Sequence, residues 1–293
     1  MNSHAQVPTA LLLGDVLRLY FASRPYRSLS LPTFIDLDAH DPSRILHVND
    51  TPLLEPGPPG TFDEHGIMPS AAVRVGGLVY LYYSGWSRST QVPYINTTGL
   101  AVSEDGGRRF RRMFDGPVLG RGPHEPYSAT SPCILIHEGI WHMWYCSGAL
   151  WQAEGDAFEP VYHIKHAASV DGMHWRPDAG RFCIPPHHPL EASTRPTIAR
   201  MGDRWHLWFC HRDSRDFRDG VGAYRLGYAW STDLTTWCRE DWNAGLVPAD
   251  HGWDSIMVAY PEVVETPGGW VMFYNGNGFG VDGVGWARLA AKA

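Results

Sequence analysis

Short apolar runs alternate with glycine turns along this chain, and no run keeps a helical period for long. The segment "DEHGIMPSAAVRVGGLVYLYYSG", residues 63–85, shows the pattern. A polar lead carrying two acids and a histidine precedes a proline, an apolar run, a Gly-Gly turn and a second apolar run. Apolar alternation on both sides of a glycine turn predicts two antiparallel strands. The same order recurs at Pro8, Pro69, Pro132, Pro196 and Pro261, anchors spaced 61, 63, 64 and 65 residues apart. Each anchor is followed after 12 or 13 residues by an aromatic pair: Tyr20-Phe21, Tyr82-Tyr83, Trp144-Tyr145, Trp208-Phe209 and Phe273-Tyr274.

The second half of the unit repeats as well. Ser103, Ser169 and Ser231 stand two residues before Asp105, Asp171 and Asp233, and an aromatic residue follows each (Phe110, Trp175, Trp237). A third strand, an Asp-anchored turn and a fourth strand account for this spacing. Four strands at a fixed period of this length predict an all-β, five-bladed β-propeller with four-stranded antiparallel blades. The last blade is expected to be incomplete, because the sequence ends after its third strand. One propeller domain is expected over residues 1–293.

Composition narrows the function. A net charge of −7 argues against a nucleic-acid partner, which needs a basic face. No apolar run reaches the length that crosses a bilayer, so no membrane partner is expected. Five cysteines without a CxxC pair, most of them inside apolar runs, predict free thiols in a reducing cytoplasm. The 13 Trp, 13 Tyr and 15 His suit an aromatic-rich binding surface.

Alternating strand direction gathers the residues before each anchor proline at one mouth of the central channel. That places Ser3 and His4, then Asp63, Glu64 and His65, at the mouth. It also places Glu125 and Tyr127, Glu191, Ser193 and Arg195, and Asp254 there. Segments after the second strands bring Trp86 and Tyr94, Trp151 and His163, Lys165, His211 and Arg212, and Asn275 and Asn277 around it. The loops after the second strand are long in the middle blades, where binding sites are commonly built. These residues differ from blade to blade, so one asymmetric site is expected rather than five equal ones.

Carboxylates ringed by aromatic side chains, Arg and Asn are the groups that glycosidic cleavage requires. One carboxyl protonates the leaving oxygen while another activates water or attacks carbon. On this reading Glu191 is the acid, Asp63 or Asp254 the base, and Arg195 the group that orients them. Arg195 is expected beside Glu191, Glu125 or Asp63. His4 and His65 hold the same position before neighbouring anchors and could bind a divalent metal with Asp63; otherwise no cofactor is expected.

With "FDEHGIMPS", "YYSGW", "GWDSIM" and "YNGNGFG", the chain resembles the five-bladed propeller glycosidases along essentially its whole length. These are the arabinanase and xylosidase, invertase and levansucrase, and mannoside phosphorylase enzymes. The resemblance implies catalytic carboxylates at Asp63, Glu191 and Asp254 and a small-molecule carbohydrate substrate. The chain departs from the arabinanase pattern at Val7, where an Asp would stand, and at Thr194 or Ala259, where a Glu would stand. It departs from the invertase pattern at Ser3. The leading expectation is hydrolysis of a small or unusual glycan in the channel. A phosphorylase holding phosphate on Arg195, Lys165, His211 and Arg212 is one alternative. A glycan-binding propeller without turnover is another.

Overall fold

A computed structural model describes residues 3–25, 29–178 and 180–290 of the chain. It is nearly all β, and its strands fall into repeated antiparallel meanders, one at each anchor proline. The first unit is β1 (Gln6–Leu13), β2 (Val16–Ser23), β3 (Leu31–Asp38) and β4 (Ile45–Val48). The second is β5 (Gly66–Val75), β6 (Leu78–Arg88), β7 (Tyr94–Ser103) and β8 (Arg111–Arg112). The third is β9 (Ala129–His137), β10 (Ile140–Glu154), β11 (Ala157–Ser169) and β12 (Arg176–Pro177). The fourth is β13 (Glu191–Met201), β14 (Arg204–Asp213), β15 (Arg225–Ser231) and β16 (Cys238–Arg239). The fifth has three strands among the described residues: β17 (Ala259–Thr266), β18 (Gly269–Asn275) and β19 (Gly285–Arg288). A single parallel bridge, Thr97 to Ala129, joins the second and third units into one eight-stranded sheet.

The inner strands pack in the order β1, β5, β9, β13 and β17, and β17 returns to β1. Side chains stitch this last junction. Asn275 accepts from the Val7 amide at 2.9 Å and donates to the Ala5 and Gly283 carbonyls at 2.8 and 2.7 Å. Asn275 is fully buried, so the structure assigns it to closing the ring rather than to the mouth.

The repeating residues have separable tasks. The β1–β2 turn uses Gly14 at φ 66°, a left-handed conformation that costs glycine nothing. In the first two units the leading aromatic reaches into the following unit: Tyr20 Oη donates to the Gly107 carbonyl and Tyr82 Oη to that of Gly172. Those carbonyls belong to the Asp-anchored turns. There Ser103 donates to Asp105, which accepts from the Arg108 and Arg109 amides. Ser169–Asp171 and Ser231–Asp233 repeat the arrangement.

Every inner strand breaks register at its anchor. Proline has no N–H to give the ladder, so a bulge forms there. In four units the residue before it is left-handed: Val7 (φ 52°), Ser131 (50°), Arg195 (56°) and Tyr260 (55°). This conformation costs a residue with a Cβ about 1–2 kcal/mol, and strain of this kind concentrates where function needs it.

All five cysteines are free; Cys146 and Cys210 are buried, Cys133 and Cys183 half-buried, and Cys238 exposed. No helix among the described residues is long and apolar enough to cross a membrane.

Candidate functional site

A cavity of about 310 Å³ opens where the five inner strands begin. The strained residues Val7, Ser131 and Tyr260 are part of its lining, and every unit contributes. Gln6 and Arg24 come from the first unit, Trp86, Tyr94 and Asn96 from the second, and Tyr127, Thr130, Trp151, Glu159 and Tyr162 from the third. The fourth supplies Arg212, Phe217, Arg218 and Tyr224, and the fifth Tyr260 and Phe279. Trp151 and Glu159 stand on the β10–β11 hairpin, which pairs out to Glu154–Ala157. The sequence reading made this stretch a long loop. Its apolar–polar alternation around Gly155 instead extends the two strands. In the fourth unit a true loop, residues 214–224, carries Phe217, Arg218 and Tyr224 to the cavity.

Several lining residues carry buried neutral polar atoms without a protein partner. Gln6 Oε1, Ser30 Oγ, Trp86 Nε1, Asn96 Oδ1 and Thr130 Oγ1 are buried, belong to lining residues, and have no protein hydrogen-bond partner. Buried polar groups are nearly always paired, so five unpaired ones within one set of lining residues stand out. Aromatic walls accompany them: Tyr94 meets Trp151 edge-on at 5.5 Å, and Tyr224 lies 5.5 Å from Tyr260. Behind the wall, Arg212 Nε donates to the hydroxyls of Tyr162 and Tyr224 at 3.2 and 3.4 Å. Those two hydroxyls also hydrogen-bond each other. Burial pushes both phenols above their ordinary pKa, so each keeps its proton.

Of the expected site residues, Trp86, Tyr94, Tyr127, Trp151 and Arg212 line the cavity. The expected catalytic carboxylates do not. Asp63 is fully buried and held by Arg112 at 2.7 Å and the Tyr83 hydroxyl at 3.0 Å. Glu125 sits in the equivalent place, bound by the Tyr145 hydroxyl at 2.7 Å, Lys165 at 2.9 Å and Ser147. Asp254 accepts from the Tyr274 hydroxyl at 3.0 Å. Each acid latches the approach to an inner strand onto the second aromatic of its own unit.

Glu191 is held instead by Arg239 at 2.7 Å and the His187 amide at 2.9 Å, its unit having Phe209 where the second, third and fifth have Tyr. Burial alone would raise the Glu191 carboxyl, but Arg239 and the amide hold it below its ordinary value. Glu191 is thus paired with Arg239 and lies outside the cavity lining, away from the place expected for the acid.

Arg195 is also placed differently from expectation. Its guanidinium is 1% exposed and reaches across the ring to the Ser70 and Pro8 carbonyls, Thr9 and Glu262, not to Glu191, Glu125 or Asp63. Left-handed backbone at Arg195 turns the side chain inward, where Glu262 at 3.4 Å is its acidic neighbour. The phosphate cluster is dispersed: Lys165 pairs with Glu125, and His211 lies 3.6 Å from Asp241.

The remaining expected contacts lie outside the cavity lining. His4 bonds Ser3, while His65 faces Glu64 at 3.4 Å and packs on Trp86. Glu64 also accepts from the Gly60 amide. No group of three or more potential metal ligands exists among the described residues, so His4 and His65 have no third ligand. His163 packs on Phe182 at 4.5 Å, and Asn277 ties down the Ile256 and Met257 amides. Gln6, Asn96, Glu159, Tyr224 and Tyr260 escaped the sequence reading. Tyr260 shares the position before the proline that singled out Arg195, so that signal was available.

No protein-family model matches the chain. Uncharacterized protein Rv1502 of Mycobacterium tuberculosis strain H37Rv is 32% identical over 290 residues, spanning 98% of this chain and 93% of the relative. Uncharacterized protein MT1551 of strain CDC 1551 matches to the same extent. Among solved structures, the BT0996 RGII complex superposes with a TM-score of 0.76 at 17% identity, over 99% of this protein and 90% of that one. A thermostable family-43 glycoside hydrolase gives 0.70 at 15% identity, over 99% and 91%. The Bombyx mori GH32 beta-fructofuranosidase BmSUC1 gives 0.61 at 16% identity, over 93% and 56%. These likenesses show the fold alone, a nearly all-β fold shared with glycoside hydrolases.

Proposed function

The chain belongs to one family with Uncharacterized protein Rv1502 of Mycobacterium tuberculosis, and from that premise we propose that it is a glycosidase-type, carbohydrate-active propeller. Its five meanders are the blades of one propeller spanning residues 1–293, and a small saccharide occupies the central cavity. One observation carries the reading. Five residues with unpaired polar atoms and a set of aromatic side chains line a single cavity of about 310 Å³. Hydroxyls and the apolar faces of a sugar ring match that surface, and the volume lies at the small end of ligand pockets.

The reaction we assign is hydrolysis of a glycosidic bond, with Glu159 as the base that takes a proton from the attacking water. It is the one carboxylate among the lining residues, and Arg218 stands 2.5 Å from it. Of the four cations a phosphorylase was expected to use, Lys165, His211 and Arg195 are spent on Glu125, Asp241 and the ring interior, which leaves Arg212 alone at the cavity and makes hydrolysis the better reading. A second reading, glycan binding without turnover, is favoured by that same single carboxylate, since most glycosidases use two.

Incubating the protein with aryl glycosides and oligosaccharides, with products read by mass spectrometry, separates the readings. Hydrolysis predicts product that falls about 10²–10⁴-fold in Glu159→Gln and persists in Asp105→Asn, a turn residue. Binding with no product from any substrate supports the second reading. Turnover unchanged in Glu159→Gln contradicts the assigned role.

A further inference from the structure

The charges in the cavity do not balance. Arg24, Arg212 and Arg218 line it, against the single carboxylate of Glu159, which Arg218 already holds. This cationic space lies in a protein whose net charge is −7. Arg212 is 3% exposed, and its hydrogen bonds end on neutral oxygens: the Tyr162 and Tyr224 hydroxyls, Ser214 Oγ, and the Asp213 and Pro160 carbonyls. No carboxylate among the described residues forms an ion pair with it or with Arg24. Elsewhere the fold pairs its buried cations with acids, as in Arg18–Asp36, Lys165–Glu125 and Arg239–Glu191. A buried guanidinium lacking a counter-charge is costly, and Arg212, in the cavity lining, is the exception.

Proton counting at the tyrosines points the same way. Tyr162 and Tyr224 have two hydroxyl protons between them, and their mutual hydrogen bond uses one. Arg212 can only donate, so it takes neither. The second proton has no acceptor among the described residues and is left for an oxygen in the cavity. A cation behind two phenols with one O–H to give is a receptor for an oxyanion.

We infer that the saccharide taken by this cavity is anionic, its carboxylate or sulfate group held between Arg24 and the Tyr162–Tyr224 pair backed by Arg212. The inference rests on the saccharide reading above and narrows it to a substrate class. A negative group there supplies the missing counter-charge to Arg212. Arg24, exposed at the rim, gives a second guanidinium contact.

The test is a glycan array of oligosaccharides matched in backbone but neutral, carboxylated or sulfated, with titrations of the wild-type protein and Arg24→Gln. Acidic members should bind about tenfold or more tightly than their neutral counterparts, and the carboxylated and sulfated arms identify the anion. Arg24→Gln should lose most of that preference. Raising salt to about 1 M should narrow the gap. Equal or tighter binding of neutral members overturns the inference and leaves saccharide binding standing. A preference intact in Arg24→Gln overturns the assigned contact. Absence of binding to every member overturns the saccharide reading and this inference with it.

Discussion

The Tyr83 hydroxyl donates to Asp63 at 3.0 Å, binding the loop before β5 to the strand beside it. Tyr145–Glu125 and Tyr274–Asp254 repeat this link at 2.7 and 3.0 Å, always between an acid ahead of the anchor and the second aromatic of the pair. The acids that look like chemistry in one copy are a structural device in four. Arg112 completes the one at Asp63.

Replacing Asp63 by Asn should therefore lower stability while leaving the cavity intact. Asn cannot neutralise Arg112, which is about a quarter exposed, so the loss should be about 2–3 kcal/mol, below that of a fully buried pair. Urea denaturation reads it. Saccharide binding or turnover abolished at unchanged stability would restore Asp63 to the site.

Glu191→Gln should behave likewise, with a pH signature. The folded carboxyl lies below its ordinary 4.5. Its contribution is present above that pH and is lost as pH falls through the folded value. The variant should be weaker by about 2 kcal/mol at neutral pH, with the gap to wild type closing in acid. A constant gap would show that the Arg239 pair is not its source.

Glu262 gives the opposite sign. Burial raises its carboxyl to about 7 against the opposing pull of Arg195 and the Ala10 amide. A raised value means the folded state favours the proton. Its contribution is full below 4.5 and is lost as pH rises through about 7. Between those limits wild type should lose about 1–3 kcal/mol relative to Glu262→Gln, read from urea midpoints across pH. Parallel curves for the two proteins would contradict it.

The repeat, the hairpin turns and the Asp-anchored turns were legible because each is local: a period, a glycine, a Ser-x-Asp spacing. The site was only half legible. Trp86, Tyr94, Trp151 and Arg212 follow from strand direction alone. The acids were misread because the latch partners vary: Tyr83 and Arg112 at Asp63, Tyr145 and Lys165 at Glu125, Tyr274 at Asp254 and Arg239 at Glu191, hiding a recurring requirement behind differing residues. Arg195 was misplaced because its side chain crosses to the Ser70 and Pro8 carbonyls, Thr9 and Glu262, partners on other units that no local spacing announces. Tyr224 arrives from a loop whose path depends on tertiary packing.

Trp86→Phe isolates one of the unpaired donors. The substitution keeps an aromatic face and removes Nε1–H, which has no protein partner. Affinity for a bound saccharide should fall about 3–10-fold with little change in melting temperature, measured by calorimetry on wild type and variant. Unchanged affinity would remove Trp86 Nε1 from the contact set.

The central claim, that the cavity ringed by all five units receives a saccharide, is tested most directly by a crystal structure with the tightest-binding glycan of the array. The account predicts a sugar ring against the aromatic wall, with hydroxyls on Gln6, Trp86 and Asn96 and its charged group at Arg24 and Tyr224. A glycan bound on the outer strands, or at Asp63, Glu191 and Asp254 with the cavity bare, would contradict it.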